Sequence, residues 1–291
     1  MKLLLILCFL PLLVQAQLHD TIQRDRFKMW GIHTMEQYET TSSNDTASAP
    51  VLLSVARINP EGFMTQITHY GPDGAPGMQY MFTYLHDSIL IESRLTNSPV
   101  PAVPTSVTTY TYNQDGLVQS CRISNKERLA TSLEYVYSKN KRLKKINQVL
   151  YGNPTTGSQS GTGNKTFKYN EKGHQTEMRE LRHSNGKKTK ESYQYIYDQQ
   201  GNKIETRVKS TKNKKWQLLE KREYDPHNRL TQIERYYYTK TTIHKGSQSW
   251  TLQPSDAFLK QWMYNDQGLI EREYQGVSGQ PTMIITSVYK F

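Results

Sequence analysis

Basic and aromatic side chains carry most of the chemistry legible in this sequence. Lys187 and Lys188 stand at the turn Ser184–Lys187, and Lys190 follows them. Lys212, Lys214 and Lys215 crowd a second turn, with Lys209 before it and Lys221 and Arg222 after it. A third cluster is Lys139, Lys141, Arg142, Lys144 and Lys145. Lysines set along one edge of a sheet make a positive stripe that attracts an anionic glycan, lipopolysaccharide, teichoic acid or extracellular DNA. The same lysines protect a sheet edge against edge-to-edge pairing, a role that needs no ligand. Tyr193, Tyr195, Tyr197, Tyr236, Tyr237 and Tyr238 could stack on sugar rings, or form the packed face of a sheet. Tyr237 must point opposite to Tyr236 and Tyr238 in a regular strand. The candidate binding residues are therefore Lys187, Lys188, Lys212, Lys214, Lys215, Arg222 and Tyr237.

Other chemistry is thin. The 8 histidines include no pair at a His-x-x-x-His spacing, and none lies near Cys121. Gly157–Gly161 places Gln159 where a hydrolase nucleophile would stand. Gly161-Thr-Gly163 has no helix after it to make a phosphate loop. The sequence calls for no metal, no cofactor and no catalytic residue, and the expectation is a protein that is not an enzyme. A hydrolase is kept only as a second alternative.

The elements that position these residues follow from composition and repetition. The chain has 291 residues, 20 of them Tyr, with a net charge of +11. The 2 cysteines cannot build a disulfide scaffold. Residues 1–16 read as a signal peptide, with Leu3–Val14 as the apolar stretch and cleavage before Gln17. This predicts export to the periplasm, cell surface or medium, and leaves Cys121 as a small strand residue. No later segment is long and apolar enough for a transmembrane helix. Residues 121–245 hold 28 Lys and Arg against 12 Asp and Glu, while the flanks are mildly acidic. Such asymmetry suggests an anionic partner or self-association.

One pattern recurs: aromatic, any residue, Tyr, Asn or Asp, two residues, Gly. It is clear at Tyr112-Asn113 with Gly116, Tyr169-Asn170 with Gly173, Tyr197-Asp198 with Gly201, and Tyr264-Asn265 with Gly268. Tyr224-Asp225 carries Asn228 in place of Gly; Tyr137 has Lys141 there, and Tyr84 has Ser88. Ile58-Asn59 with Gly62 keeps the turn and loses the aromatics. Aromatic-x-Tyr is a period-2 strand with both rings on one face. The Asn or Asp side chain accepts a backbone N–H two residues on, and Gly supplies positive φ for a bulged hairpin. Six positions after the Tyr an apolar residue usually follows (Met64, Leu90, Val118, Leu143, Leu230, Ile270), with Gln175 and Lys203 as exceptions. It is read as the cross-strand partner of the ring. Asn97–Ser106, Gly152–Asn164 and Thr239–Ala257 read as loops.

The pattern resembles the YD repeat of Rhs-type proteins, over roughly residues 50–290. It is most similar to the small exported YD-repeat proteins of Gram-negative bacteria, Bacteroidota especially. In the large members such repeats form a sheet that spirals into a hollow shell around a toxin domain. That resemblance implies a repetitive sheet here; toxin delivery is not carried over, because no toxin domain is present and eight units are too few for a closed shell.

The expected fold is all-β: an antiparallel meander of about sixteen to eighteen strands, forming a curled, twisted or partly closed sheet. Residues 17–49 are a lead-in and polar linker, with Thr34–Thr40 as a candidate first strand, and 50–291 are the repeat domain. The expected function is a binding or structural module at the cell envelope. Its partner is an anionic envelope polysaccharide or another envelope protein, with no specific nucleic acid. The alternative is an outer-membrane β-barrel. In its favour, Met283, Ile285, Ser287, Tyr289 and Phe291 alternate to a terminal Phe. Against it, the short strand Asn202–Ser210 places Lys203, Glu205 and Arg207 on one face and Ile204, Thr206 and Val208 on the other.

Overall fold

The computed structural model describes residues 24–43, 46–47, 49–86, 89–97, 105–126, 128–152, 160–184, 186–210, 215–236, 238–242, 248–252, 258–277 and 280–290. The proposed signal peptide and Phe291 lie outside them. The strands are β1 (Thr34–Ser43), β2 (Thr46–Ala47), β3 (Val51–Ile58), β4 (Met64–Tyr70), β5 (Pro76–Leu85), β6 (Ile89–Thr96), β7 (Ser106–Tyr112), β8 (Val118–Asn125), β9 (Arg128–Tyr137), β10 (Leu143–Leu150), β11 (Gly161–Tyr169), β12 (Gln175–Ser184), β13 (Lys187–Tyr197), β14 (Lys203–Ser210), β15 (Gln217–Tyr224), β16 (Leu230–Arg235), β17 (Tyr238–Thr242), β18 (Gln248–Leu252), β19 (Phe258–Tyr264), β20 (Ile270–Val277) and β21 (Gln280–Lys290).

From β3 to β16 each strand pairs antiparallel with the next, and β16 pairs on to β19, β20 and β21. The ring then closes, because β1 pairs with β3 on one side and β21 on the other. The result is a closed 18-strand antiparallel barrel. This corrects the expectation of a partly closed sheet and of too few units for closure. Thr34–Ser43, expected as part of a lead-in, is the stave that joins the first and last repeats. It satisfies both free edges, which would otherwise expose unpaired backbone. Closure also agrees with the barrel part of the alternative reading. β2 pairs only with the end of β1, and β17–β18 form a separate two-stranded ribbon. That ribbon, from Tyr238 to Leu252, occupies most of Thr239–Ala257, expected as loop, and Gly161–Asn164 likewise belongs to β11.

Local chemistry explains the hairpins. Gly116, Gly173, Gly201 and Gly268 have φ of 75°, 89°, 91° and 74°, and Asn228 and Lys141 take 59° and 58° at the same position. The Asn or Asp side chain accepts mainly from the N–H four residues on, as in His174 N to Asn170 Oδ1 (2.8 Å) and Asn202 N to Asp198 Oδ1 (2.8 Å). The shorter two-residue bond occurs as well, from Asp115 to Asn113 and from His227 to Asp225. A one-residue bulge follows each turn, and it sets Tyr84, Tyr112, Tyr169, Tyr197, Tyr224 and Tyr264 opposite the residue six positions on.

Each such Tyr also ties its hairpin to the one before. Tyr112 donates to the Leu90 carbonyl, Tyr169 to Leu143 (2.8 Å), Tyr197 to Gln175 (2.7 Å), Tyr224 to Lys203 (3.0 Å) and Tyr264 to Leu230 (2.7 Å). Tyr289, in the last strand, continues the ladder to Ile270 (2.6 Å). Every net hydrogen bond of this kind contributes about 1 kcal/mol. The residue after the Gly position lies on the next Tyr ring: His174 stacks on Tyr197 at 4.8 Å, Arg142 lies 5.9 Å over Tyr169 and Arg229 4.8 Å over Tyr264. At the seam the first hairpin offers Ile58 instead of Tyr. There, a helical turn over residues 24–29 supplies Phe27, which with Ile32, Ile58 and Leu269 forms a small core against Met35, Met64 and Tyr289.

One face of the wall is systematically more buried than the other. Ser54, Ala56, Cys121, Leu133, Glu220 and Ile285 all fall on it, and register carried strand by strand around the ring puts them on this one face. Thr68, covered by Gln66 and Gln79, is an exception on the opposite face. In a single-layered closed sheet, curvature makes inward side chains converge and outward ones splay. The buried face is therefore the lumen. Barrels of this strand number leave an aqueous channel.

Candidate functional site in the barrel lumen

Register and alternation sort the inward side chains. From β3 through β10 they are uncharged apart from His69 and, at the rim, Arg128, which the bulge in β9 sets opposite Asn125; they include Tyr80, Phe82, Leu95, Tyr110, Tyr135 and Ile146. Tyr80 and Phe82 stack at 6.4 Å. Tyr110 and Tyr135 lie over Cys121, which has no exposed surface, and burial pushes its thiol up to about 12. This fits a small packed strand residue, not a nucleophile.

From β11 through β20 the inward face changes character. Lys165, Arg182, Lys203, Arg222, Arg235 and Lys260 project into the lumen, with Glu180, Glu191, Glu220 and Glu273 among them. Glu220 is the centre of the densest group. Arg222 Nε donates to it at 2.7 Å and Arg235 Nε at 3.0 Å, and Lys203 Nζ stands 4.0 Å away. Burial opposes ionisation of Glu220, but Arg222 and Lys203 outweigh it and hold the carboxyl below its usual value. Lys203 is the least compensated cation. Burial, with repulsion from Arg222, lowers its ammonium to about 7 against the attraction of Glu220. Its Nζ lies 5.3 Å over the Tyr195 ring. Beside this group, Lys165 and Arg182 share Glu180 at 3.6 and 2.8 Å, and Lys260 holds Glu273 at 2.6 Å.

Sequence reading missed Glu220, Arg235, Glu180, Lys165, Lys260 and Glu273. A signal existed: Glu220 and Arg222 stand four and two residues before Tyr224, in the column that Tyr193 and Tyr195 occupy before Tyr197. Lys203 was visible as an exception at the position six after a Tyr and as a member of the Glu205 and Arg207 face. The bulge turns it to the inner face with Thr206 and Val208, which corrects its grouping with Glu205 and Arg207.

The predicted binding residues do not form one patch. Lys187 and Lys188 begin β13 at the rim opposite the repeat turns, and Lys215 begins the segment leading into β15 at that same rim. Arg222 is separate from them: it points into the lumen and pairs with Glu220, while Lys221 points outward. Lys212, Lys214 and Tyr237 lie outside the described residues. At the Lys187 rim an open cleft of about 800 Å³ is bordered by Arg128, Tyr151, Gly161 and His183. The repeat residues Tyr112, Gly116, Tyr169, Gly173, Tyr197, Asp198, Gly201, Tyr224, Asp225, Asn228, Tyr264 and Gly268 all lie in the hairpins and their ladder.

The outer face is hydrophilic along mid-strand. Arg122, Glu134, Arg179, Arg207, Lys221 and Glu234 point outward there. Apolar side chains share that face, where Met81, Val136, Val149, Met263 and Val288 are exposed. Met283, Ile285, Ser287 and Tyr289, the alternating C-terminal row, point inward instead: Ile285 faces Glu273 and Tyr289 faces Met35. Among the described residues no helix is long and apolar enough to cross a membrane, and no three His, Cys, Asp or Glu side chains gather as a metal site.

No protein-family model matches the chain, and no curated protein matches it. Among solved structures it is similar to the Photorhabdus luminescens Tc holotoxin pore, at 10% identity and a TM-score of 0.35, over 87% of this chain and 16% of that one. It is similar to a TcdB2–TccC3 complex at 11% identity and a TM-score of 0.30, over 86% of this chain and 15% of that one. It is also similar to a porin-like protein from Bacteroides uniformis ATCC 8492, at 11% identity and a TM-score of 0.41, over 89% of this chain and 96% of that one. The chain thus spans about a sixth of the toxin chains and nearly all of the porin-like one.

Proposed function

We propose that this is an exported, non-enzymatic binding protein of the cell envelope, related to the small YD-repeat proteins, that works through the lumen of a closed barrel standing in water. The observation that carries this reading is the distribution of charge across the wall. A lipid-facing barrel needs an apolar band about 25 Å tall, and each Arg or Lys at its midplane costs about 2–4 kcal/mol. Here Arg122, Arg179, Arg207 and Lys221 would all face lipid. The inward face, by contrast, holds a connected set of rings and ion pairs that a ligand entering the channel would meet.

The second reading is an outer-membrane barrel with a porin-like passage. Closure of the ring favours it. The inward direction of the C-terminal row removes the sequence feature that most supported it. Fractionation of the native host separates the two, with membranes washed first in high salt and then in carbonate. Recovery in soluble fractions, or release by salt, is the expected result. Protein that resists both washes would overturn the water-standing barrel in favour of the embedded one. The rim lysines are tested separately by changing Lys187, Lys188 and Lys215 to Glu. Loss of binding to an anionic envelope polysaccharide would make them its docking site, and unchanged binding would leave them as edge protection.

A further inference from the structure

We infer that the lumen holds an anionic amphiphile, with its apolar tail along the wall from β3 to β10 and its charged head against the wall from β11 to β20. This deepens the proposal that the barrel works through its lumen, and rests on it. The division of the inner face is the observation behind it. One arc presents ring faces and branched aliphatic side chains interspersed with uncharged polar groups (Ser93, Thr108, Thr131, Gln148), and its one Lys, Arg, Asp or Glu at an inward strand position is Arg128, at the rim. The other presents Lys165, Arg182, Lys203, Arg222, Arg235 and Lys260 against fewer carboxylates.

Each arc alone fits a different ligand poorly. A soluble polysaccharide can stack on the rings of this arc, but hydroxyls buried against its aliphatic side chains stay unpaired. A neutral hydrocarbon leaves the ion pairs desolvated without a partner. An amphiphile uses both: apolar contact is favourable at about 25 cal/mol per Å² buried, and the head supplies counter-charge. Charge complementarity selects the sign of that head. Glu220 is shared by Arg222 and Arg235 and stands near Lys203, so three cations meet one carboxylate. An anionic group entering beside Lys203 balances that group, whereas a cationic head would add to the excess. Arg235 and Lys260 keep 36% and 26% of their side-chain surface exposed, so both remain reachable from the channel.

The test uses the full mature chain and four probes below their micelle concentrations. They are a pyrene-labelled fatty acid, the matching uncharged alcohol, a pyrene-labelled lysophosphatidic acid, and dextran sulfate as an anion without a tail. The fatty acid or the lysophosphatidic acid should bind at least ten-fold tighter than the alcohol, and which of the two binds tighter identifies a carboxylate or a phosphate head. The double variant Arg235→Gln, Lys260→Gln should weaken the charged probes about ten-fold and leave the alcohol unchanged. Ile146→Asp should weaken all the tailed probes; Leu95→Asn replaces it if that variant does not fold, as judged by circular dichroism. Equal binding of acid and alcohol, or no effect of either change in the apolar arc, overturns the inference. If dextran sulfate then binds and the inward double variant abolishes it, the lumen reading stands without an amphiphile. If dextran sulfate responds only to Lys187→Glu and Lys188→Glu, the lumen reading fails as well.

Discussion

Replacing Gly201 by Val tests the hairpin logic quantitatively. Gly201 sits at φ +91°, where a β-branched residue is strained by about 1–3 kcal/mol. A Cβ there would also stand 2.8 Å from His174 Cε1 and 3.1 Å from Nε2. The imidazole can swing away, but it then abandons the Tyr197 ring on which it stacks at 4.8 Å. Loss of a ring pair adds about 0.5–1.5 kcal/mol. The expected total is about 2–4 kcal/mol. Gly116→Val provides the comparison, because Gly116 has φ +75° and no atom within 4 Å of its Cβ position. It should show the backbone strain alone, so the difference between the two variants isolates the contact between neighbouring repeats. Urea unfolding followed by tyrosine and tryptophan fluorescence gives both midpoints. Two midpoints equal to wild type would refute the positive-φ account. Two variants shifted by the same amount would refute the role given to His174.

Lys141 occupies the same turn position at φ +58° and holds Asp115 through an exposed ion pair of 2.8 Å. Lys141→Gly should raise stability by up to about 1 kcal/mol, since relief of left-handed strain exceeds the value of an exposed pair, and a lower unfolding midpoint would contradict this. Lys203 has a folded-state value lowered to about 7, so the unfolded chain binds more protons between that pH and the ordinary lysine range. Stability should therefore rise from pH 7 to pH 9, below the range in which the tyrosines titrate, and the rise should vanish in Lys203→Met; a flat wild-type profile would show that Lys203 is not desolvated. Phe27 is 3% exposed at the seam, and Phe27→Ala should cost about 3 kcal/mol of docking of the N-terminal turn. Limited trypsin digestion should then cut at Arg24, Arg26 and Lys28 much faster than in wild type, and unchanged cutting would mean that the turn does not depend on this ring.

The hairpins were legible because their causes are local. An Asn or Asp that accepts a nearby N–H, a Gly at positive φ and a period-2 aromatic strand act within about ten residues. Even Asn228 in place of Gly follows from the tolerance of Asn for that conformation. The same column of the repeat, however, hid the charged lumen. Arg222 read as a member of a basic cluster and Glu220 carried no reading until pairing brought Arg235 and Lys203 to them.

By itself, the sequence determined a repetitive antiparallel meander, its turn residues and the partner of each Tyr, since these depend on neighbours along the chain. Tertiary structure alone decided three things. Closure required Thr34–Ser43 to pair with Gln280–Lys290 at the far end of the chain, a contact with no local signature. The inner face was chosen by the direction of curvature, which alternation leaves undetermined because both faces have the same period. The side taken by Lys203 depended on a single bulged residue, and in a strand one residue is enough to exchange outside for inside.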